Sequence, residues 1–427
     1  MNYLKRIIDD ELQLRLDSIG ATLIVGPKWC GKTTTAKQKA KSILHLNDPD
    51  MRDAYLATAD VKPSNLLEGE TPRLIDEWQE APKLWDAIRV SVDRIGKPGL
   101  YILTGSTSVK KDNIIHTGTG RISRLKMYPM SLFESGESNG SISLSKLFAD
   151  PNCDIGASTN LGINELIFSA CRGGWPSSLN LISSKSQLFV AKDYLNNICD
   201  NDISTVDNIL RSPSKTRLLL YSYARNISTL ATNNSILKDI NANEEMGITS
   251  FYEYLDALKR LFVIEDINAW NPNIRSKASI RSSNKREFID PSIAVAALGL
   301  SPEYFQTDLK TFGFIFECLC MRDLKIYSNS QGGTISYYRD RYGLEADAVL
   351  HLNDGRYALI EIKLGSKEIE ESAKHLIELK NLISQNNLLN PRATIPEPTL
   401  LIVLTGGPVA YRRKDGVLVI PIGCLRD

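Results

Sequence analysis

The chain has 427 residues, more than one ordinary hydrophobic core accommodates, so about two to four domains are expected. Lysine and arginine number 51 against 50 aspartate and glutamate, which excludes a global basic field for nonspecific nucleic-acid binding and leaves only local contacts. Seven cysteines without C-x-x-C spacing and only four histidines argue against zinc, and no apolar run approaches the ~20 residues that span a bilayer. With no secretory leader pattern at Met1, a soluble protein of the reducing cytoplasm is expected, without a membrane partner.

The first predicted strand, Ala21-Thr22-Leu23-Ile24-Val25, runs into Gly26-Pro27-Lys28-Trp29-Cys30-Gly31-Lys32-Thr33-Thr34. This fits the G-x-x-x-x-G-K-[ST] phosphate loop, or Walker A pattern, at every fixed position. The chemistry dictates the spacing: Gly26 and Gly31 let backbone N–H groups wrap phosphate oxygens, Lys32 reaches the β- and γ-phosphates, and the Thr33 hydroxyl ligates Mg²⁺. Pro27, Lys28, Cys30 and Thr34 complete the cradle. Ala36, Ala40, Ile43 and Leu44 recur at helical spacing, which gives the order strand, loop, helix.

Leu74-Ile75-Asp76-Glu77 reads as a strand ending in a Walker B pair. Asp76 is placed to hold Mg²⁺ through water, and Glu77 to polarise the attacking water. A helix with Leu84, Trp85, Ile88 and Val92 on one face follows, then the strand Leu100-Tyr101-Ile102-Leu103. That strand ends in Thr104-Gly105-Ser106, with Ser106 the candidate sensor of the γ-phosphate at a strand C-terminus. Alternating strands and helices predict a parallel α/β sheet.

These motifs, with Trp78-Gln79-Glu80-Ala81-Pro82 after Glu77 and Gly120-Arg121 leading to Tyr128-Pro129-Met130-Ser131, resemble the bacterial and archaeal AAA+ type ATPases that carry a C-terminal restriction-endonuclease-like domain. The resemblance runs nearly end to end. It implies an α/β multidomain chain: a P-loop AAA+ type core at 1–135, a helical lid at 160–213, a winged helix-turn-helix at 214–300 and a restriction-endonuclease-like α/β domain at 301–427. It also implies ATP rather than GTP as substrate and an arginine finger at Arg121, with Arg124 as the alternative. The finger would act within the chain or across the boundary of a homo-oligomer.

Residues 134–158 are rich in Ser, Gly, Asn and Asp and read as a linker. Helical segments from Glu165 to Asp202, broken at Gly173-Gly174-Trp175-Pro176, resemble the lid of such ATPases, with Arg172 in reach of the phosphates. Ser214 to Asp290 reads as three helices and a hairpin, with a capping box at Ser250 and Glu253 ahead of the buried face Tyr254, Leu255, Leu258, Leu261 and Phe262. Arg275, Lys277, Arg281, Lys285 and Arg286 make the hairpin a basic wing. It contacts DNA or RNA phosphates in one reading and packs against protein in the other.

A helix at about Phe312–Tyr327 and strands at Thr334–Arg339, Leu344–Leu352, Tyr357–Leu364 and Leu400–Leu404 predict a second α/β core. Glu361 and Lys363 share a strand face, as do Glu345 and Asp347 one strand earlier, and Glu317 lies on the preceding helix. Glu-x-Lys alone says little, since Glu378-Leu379-Lys380 repeats it in a helical stretch. In context, Asp347, Glu361 and Lys363 resemble the D…E-x-K pattern of restriction-endonuclease-like nucleases. Asp347 and Glu361 would hold a second Mg²⁺ or a Mn²⁺ ion, and Lys363 would position the attacking water. Two functions stay open: an ATPase coupled to a nuclease acting on nucleic acid, and an ATP-dependent switch whose later domains only bind a nucleic-acid or protein partner.

Overall fold

The computed structural model describes residues 3–106, 117–270, 283–340, 343–392 and 394–427. Near the N-terminus, β1 (Ala21–Val25), β2 (Ser42–His45), β3 (Arg73–Asp76), β4 (Tyr101–Gly105) and β5 (Ile122–Lys126) form a five-stranded parallel sheet in the order β2-β3-β4-β1-β5. Its central strands are apolar on both faces because both are covered. Leu23, Ile75 and Leu103 meet Leu84, Trp85 and Ile88 of the helix Leu84–Ile95, while Ile24, Leu74 and Ile102 meet Leu12 and Leu16 of the helix Ile8–Ser18. The helix after the phosphate loop ends at Lys37, and Ile43 and Leu44, expected on it, lie in β2. Lys41 N–H donating to Pro72 O starts the pairing with β3 that ends the helical stretch.

The expected linker is ordered and packed. It contributes β6 (Ile142–Ser143), the helix Leu144–Ala149 capped by the Ser143 hydroxyl, and β7 (Ala157–Ser158). The lid region holds the helices Ile163–Arg172, Pro176–Leu179 and Ser184–Asn197, the last continued by a π-helical turn at Ile198–Asp202. The helices Pro213–Arg225, Asn233–Asn241 and Ile248–Arg260 follow. The Ser250 capping box does not form: the helix starts earlier, at Ile248 after Gly247, which puts Ser250 inside the first turn. Its buried face is otherwise as expected, with Tyr254, Leu255, Leu258 and Leu261 buried and Phe262 in the turn at φ 56°. Two chain segments then meet antiparallel, Ile264 opposite Phe288 and Ile267 opposite Lys285. Arg275, Lys277 and Arg281 lie outside the described residues.

The C-terminal part comprises the helix Leu309–Asn329, then β8 (Thr334–Arg339), β9 (Glu345–His351), β10 (Tyr357–Lys363), the helix Ile369–Leu389, β11 (Leu400–Thr405), β12 (Val409–Arg412), β13 (Leu418–Pro421) and β14 (Leu425–Arg426). The mixed seven-stranded sheet has the order β7-β12-β13-β11-β10-β9-β8, so its β7 edge comes from the expected linker, and β14 pairs with β6. Helix Leu309–Asn329 packs on the face bearing Ala348, Ile360 and Ile402, and helix Ile369–Leu389 on the face bearing Val349, Leu359 and Val403. The first of these cores runs without a break from Tyr128 through the lid and middle helices to Leu425. The lid, middle and C-terminal boundaries expected from sequence therefore cross one continuous apolar interior.

A half-buried charge cluster ties β5 to the later parts of the chain. Lys126, at the end of β5, and Lys325, on the helix Leu309–Asn329, bracket Glu265 at 2.5 and 3.0 Å. Burial opposes ionisation of Glu265, but the ammonium groups of Lys325 and Lys126 hold its carboxyl down at about 2. A carboxyl depressed in the folded state stabilises above its unfolded pKa and loses that contribution as pH falls through the folded value. The stability difference between wild type and Glu265→Gln, read from thermal unfolding against pH, should be full above about 4.5 and shrink between there and about 2. A difference independent of pH would remove the ion pairs from this role.

Candidate functional site

The loop between β1 and the helix Lys32–Lys37 closes around its own backbone. Gly26 sits at φ 154°, and a Cβ there would lie 2.2 Å from Met127 O, so only glycine fits. Lys32 is buried, its ammonium donating to Gly26 O and Pro27 O at 3.0 and 2.8 Å. The Thr33 hydroxyl donates to Asp76 Oδ1 at 2.7 Å, and Thr104 donates to the same oxygen at 2.5 Å. His45 Nδ1 lies 3.0 Å from Asp76 Oδ2. A hydroxyl and a carboxylate oxygen side by side at the end of β3 form the hard-oxygen donor set that Mg²⁺ takes while keeping several waters. Next to them Glu77 adopts a left-handed backbone at φ 55°, and the Gln79 side-chain amide donates to its carboxylate.

Lys32, Thr33, Thr34, Glu77 and Ser106 line one cavity of about 830 Å³, which falls in the range of small-molecule sites. The N-terminal segment, through Tyr3, and the lid helix, through Phe189, supply the opposite walls. The Tyr3 hydroxyl donates to Asp9 at 2.6 Å and lies 3.0 Å from Thr35 Oγ1. Two contacts join the loop to the lid: Lys28 Nζ to Asp202 at 2.7 Å, and Trp29 against Tyr194 with ring centroids 5.5 Å apart. Behind the loop Arg6 is buried, donating to Cys30 O at 2.8 Å, Tyr128 O at 2.9 Å and Glu134 at 3.0 Å. Sequence reasoning missed Arg6, Tyr3 and His45, since nothing near them in the chain announces partners 31 to 128 residues away, and it gave Gln79 no role although Glu77 lies two positions before it.

Several expected arginines do not join the site. Arg121 precedes β5, whose Ile122 pairs with Ala21 at the start of β1, so it lies at the sheet edge opposite the loop, roughly 17 Å of strand away. It pairs with Asp93 at 2.8 Å, which corrects the expectation of a finger within the same chain. Arg124 is exposed, its guanidinium 5.9 Å from the Trp85 ring centroid. Arg172 is buried and committed to Glu137 by two hydrogen bonds of 3.0 and 2.8 Å, not to phosphates. Of the basic wing, Lys285 and Arg286 are buried with internal partners: Lys285 meets Glu317, and Arg286 meets Asp266 and Asn233. The expectation that these two contact nucleic-acid phosphates is therefore corrected.

The C-terminal residues do converge. Lys363 Nζ lies 3.1 Å from Asp347 Oδ2 and 2.8 Å from Glu361 Oε2, while Lys285 Nζ lies 2.5 Å from Glu317 and 3.6 Å from Asp347 Oδ1. Burial, reinforced by Asp347, pushes the Glu361 carboxyl up to about 8; burial likewise lifts Glu317 to about 8 against the pull of Lys285. Burial acts on Asp347 too, yet Lys285 and Lys363 keep it below the usual carboxylate value. Lysines thus face the oxygens expected to bind a second metal. Among the described residues no group of three His, Cys, Asp or Glu is placed to hold one.

Residues 19–135 match the model of an AAA domain, residues 163–304 a domain of unknown function (DUF8612), and residues 312–425 another domain of unknown function (DUF4143). The chain is 22% identical over 355 residues to the uncharacterized proteins Mb2031c of Mycobacterium bovis and Rv2008c of Mycobacterium tuberculosis, covering 82% of this chain and 72% of each relative. Among solved structures it is similar to the Walker-type ATPase PABY2304 of Pyrococcus abyssi, with 13% identity, 68% of this chain and 94% of that one covered, and a TM-score of 0.41. It is also similar to the Signal Transduction ATPase with Numerous Domains protein PH0952 of Pyrococcus horikoshii, with 14% identity, 76% and 48% covered, and a TM-score of 0.24. Among the described residues no helix is long and apolar enough to cross a membrane. The AAA match takes in Gly26 to Thr34, Asp76, Glu77 and Ser106, and with the cavity that Lys32, Thr33, Glu77 and Ser106 line it supports a P-loop ATPase that binds ATP.

Proposed function

We propose that this chain is an ATP-driven switch: a Mg²⁺-assisted P-loop site hydrolyses ATP under the lid, and the middle and C-terminal parts respond to the nucleotide and engage a partner. The observation that carries the reading is the convergence of Lys32, Thr33, Glu77 and Ser106 on one cavity, with Asp76 bonded to Thr33. Thr33 and Asp76 would hold Mg²⁺, which would supply charge neutralisation at the phosphates. Lys32 leaves the carbonyls of Gly26 and Pro27 for phosphate oxygens. Glu77 orients the attacking water and takes its proton, and Ser106 donates to the γ-phosphate.

The three helices from Pro213 to Arg260 and the antiparallel pairing after them support a winged helix-turn-helix. The internal partners of Lys285 and Arg286 favour its protein-packing use. Asp347, Glu361 and Lys363 on neighbouring strands support a restriction-endonuclease-like C-terminal domain. The pairing of Asp347 and Glu317 with a second lysine, Lys285, favours binding over cleavage. One observation favours the second reading, an ATPase coupled to a metal-dependent nuclease: Glu361 Oε1 is buried without a hydrogen-bond partner.

Lys32→Ala should weaken ATP binding about 10- to 100-fold, the loss of a charge-assisted contact worth about 1.5–3 kcal/mol. Gly26→Ala should abolish binding by forcing the loop off Met127 O. Glu77→Gln should bind ATP normally and turn it over about 10²- to 10⁴-fold more slowly; normal turnover by the folded variant would defeat the role given to Glu77. Arg121 serves as a finger only for a neighbouring copy. In that role wild-type turnover per chain rises with protein concentration and that of Arg121→Ala does not, whereas equal behaviour of the two ends the finger. Labelled single- and double-stranded DNA and RNA, incubated with Mg²⁺ or Mn²⁺ with and without ATP, should stay intact. Cleavage that Glu361→Ala abolishes would replace the switch reading with the nuclease.

A further inference from the structure

We propose that Lys285 stands where the C-terminal acidic cluster would otherwise take a divalent metal, so that the ammonium of one chain segment fills the cation position of another. The cluster is built from four places in the chain. Glu317 comes from the helix Leu309–Asn329, Asp347 and Glu361 come from β9 and β10, and Lys285 comes from the segment paired with Ile267. Lys285 is 6% exposed and reaches the cluster with its full charge-bearing end. Its Nζ lies 2.5 Å from Glu317 Oε1, 3.6 Å from Asp347 Oδ1 and 3.2 Å from Asp347 O, the position of a cation shared by two acidic side chains and a carbonyl. Asp347 is fully engaged by this arrangement: Oδ1 faces Lys285, while Oδ2 accepts from Ile362 N–H at 2.8 Å and from Lys363 at 3.1 Å.

A hard cation needs those same oxygens. Mg²⁺ or Mn²⁺ beside Asp347 would sit against an ammonium held by two carboxylates, and like charges a few ångströms apart in a buried site repel strongly. The residue types of a metal site are therefore present while its cation position is filled from within. The anchoring is mutual, because withdrawing Lys285 leaves buried carboxylates without their counter-charge. Tyr337 of β8, whose ring centroid lies 5.9 Å from Lys285 Nζ and whose hydroxyl donates to Ser283 O, holds the donor segment against the sheet edge. Lys285 is thus a positioning residue that couples docking of the middle segment to the state of the cluster.

The test is Mn²⁺ binding by the full, nucleotide-free chain, read as ions bound per chain by calorimetry and by electron paramagnetic resonance. The variants are wild type, Glu361→Gln, Lys285→Met and the double variant. Wild type and Glu361→Gln should bind the same number of ions, since the cluster takes none; Lys285→Met should bind one more, and the double variant should lose it. An ion lost from wild type on Glu361→Gln overturns the proposal, because the cluster is then an open metal site. A folded Lys285→Met chain that gains no ion overturns it as well. If Lys285→Met fails to fold, the wild-type and Glu361→Gln pair still decides, equal counts supporting the internal cation and unequal counts rejecting it. ATP turnover plays no part in the readout, so a failure here is distinct from a failure of the P-loop reading.

Discussion

One guanidinium fixes how the parts of this chain sit together. Arg322, buried on the helix Leu309–Asn329, bonds Asp290 at 2.9 Å and its neighbour Asp323 at 2.8 Å. Asp323 also accepts from Leu132 N–H, just past the ATPase sheet, and Asp290 from Gly174 N–H, at the break in the lid helices. Four segments far apart in sequence thus share one buried cluster of charge. Desolvation of such groups is repaid only when every oxygen and N–H is used, and loss of one member typically costs about 3–5 kcal/mol. Burial is severe enough to lift the Asp323 carboxyl to about 6 even beside Arg322.

The nucleotide site inherits its shape from that arrangement. The loop itself is local, set by Gly26, Gly31 and the turn into Lys32, but the walls of its cavity are not. Trp175, placed by its indole N–H on Ser292, stacks near Tyr194 at 4.5 Å, and Tyr194 in turn meets Trp29 of the loop. The chain of contacts from Asp290 through the lid to the phosphate loop makes lid position and loop conformation mutually dependent, a route by which nucleotide state can reach the rest of the molecule.

The legible part of the sequence was the part in which chemistry is written locally. The phosphate loop and the Asp76-Glu77 pair are written as short motifs, and local patterning located strands β8 to β11 within about a residue. The partners of four other basic residues were illegible for the opposite reason. Arg121, Arg172, Lys285 and Arg286 are plausible phosphate ligands by type, yet each is paired with an acidic residue 28 to 35 positions off or, for Arg286, with Asp266 at 20. The linker was misjudged because small polar residues serve close packing as well as turns: Ser138 donates to Leu425 O, and Ala157–Ser158 add a strand to the far sheet.

That added strand has a consequence for how the molecule is made. Ser138 and Leu425, bonded to one another, are separated by 287 positions, and β6 and β7 wait for β14 and β12 to complete their pairing. Contacts of such long separation form late and expose unpaired strand edges until they do. On the ribosome, the five-stranded sheet can close while the segment after it is still without its partners. The stretch from residue 138 to 158 is therefore a clasp that belongs with the far sheet, and a cut placed after it would part β6 and β7 from β14 and β12.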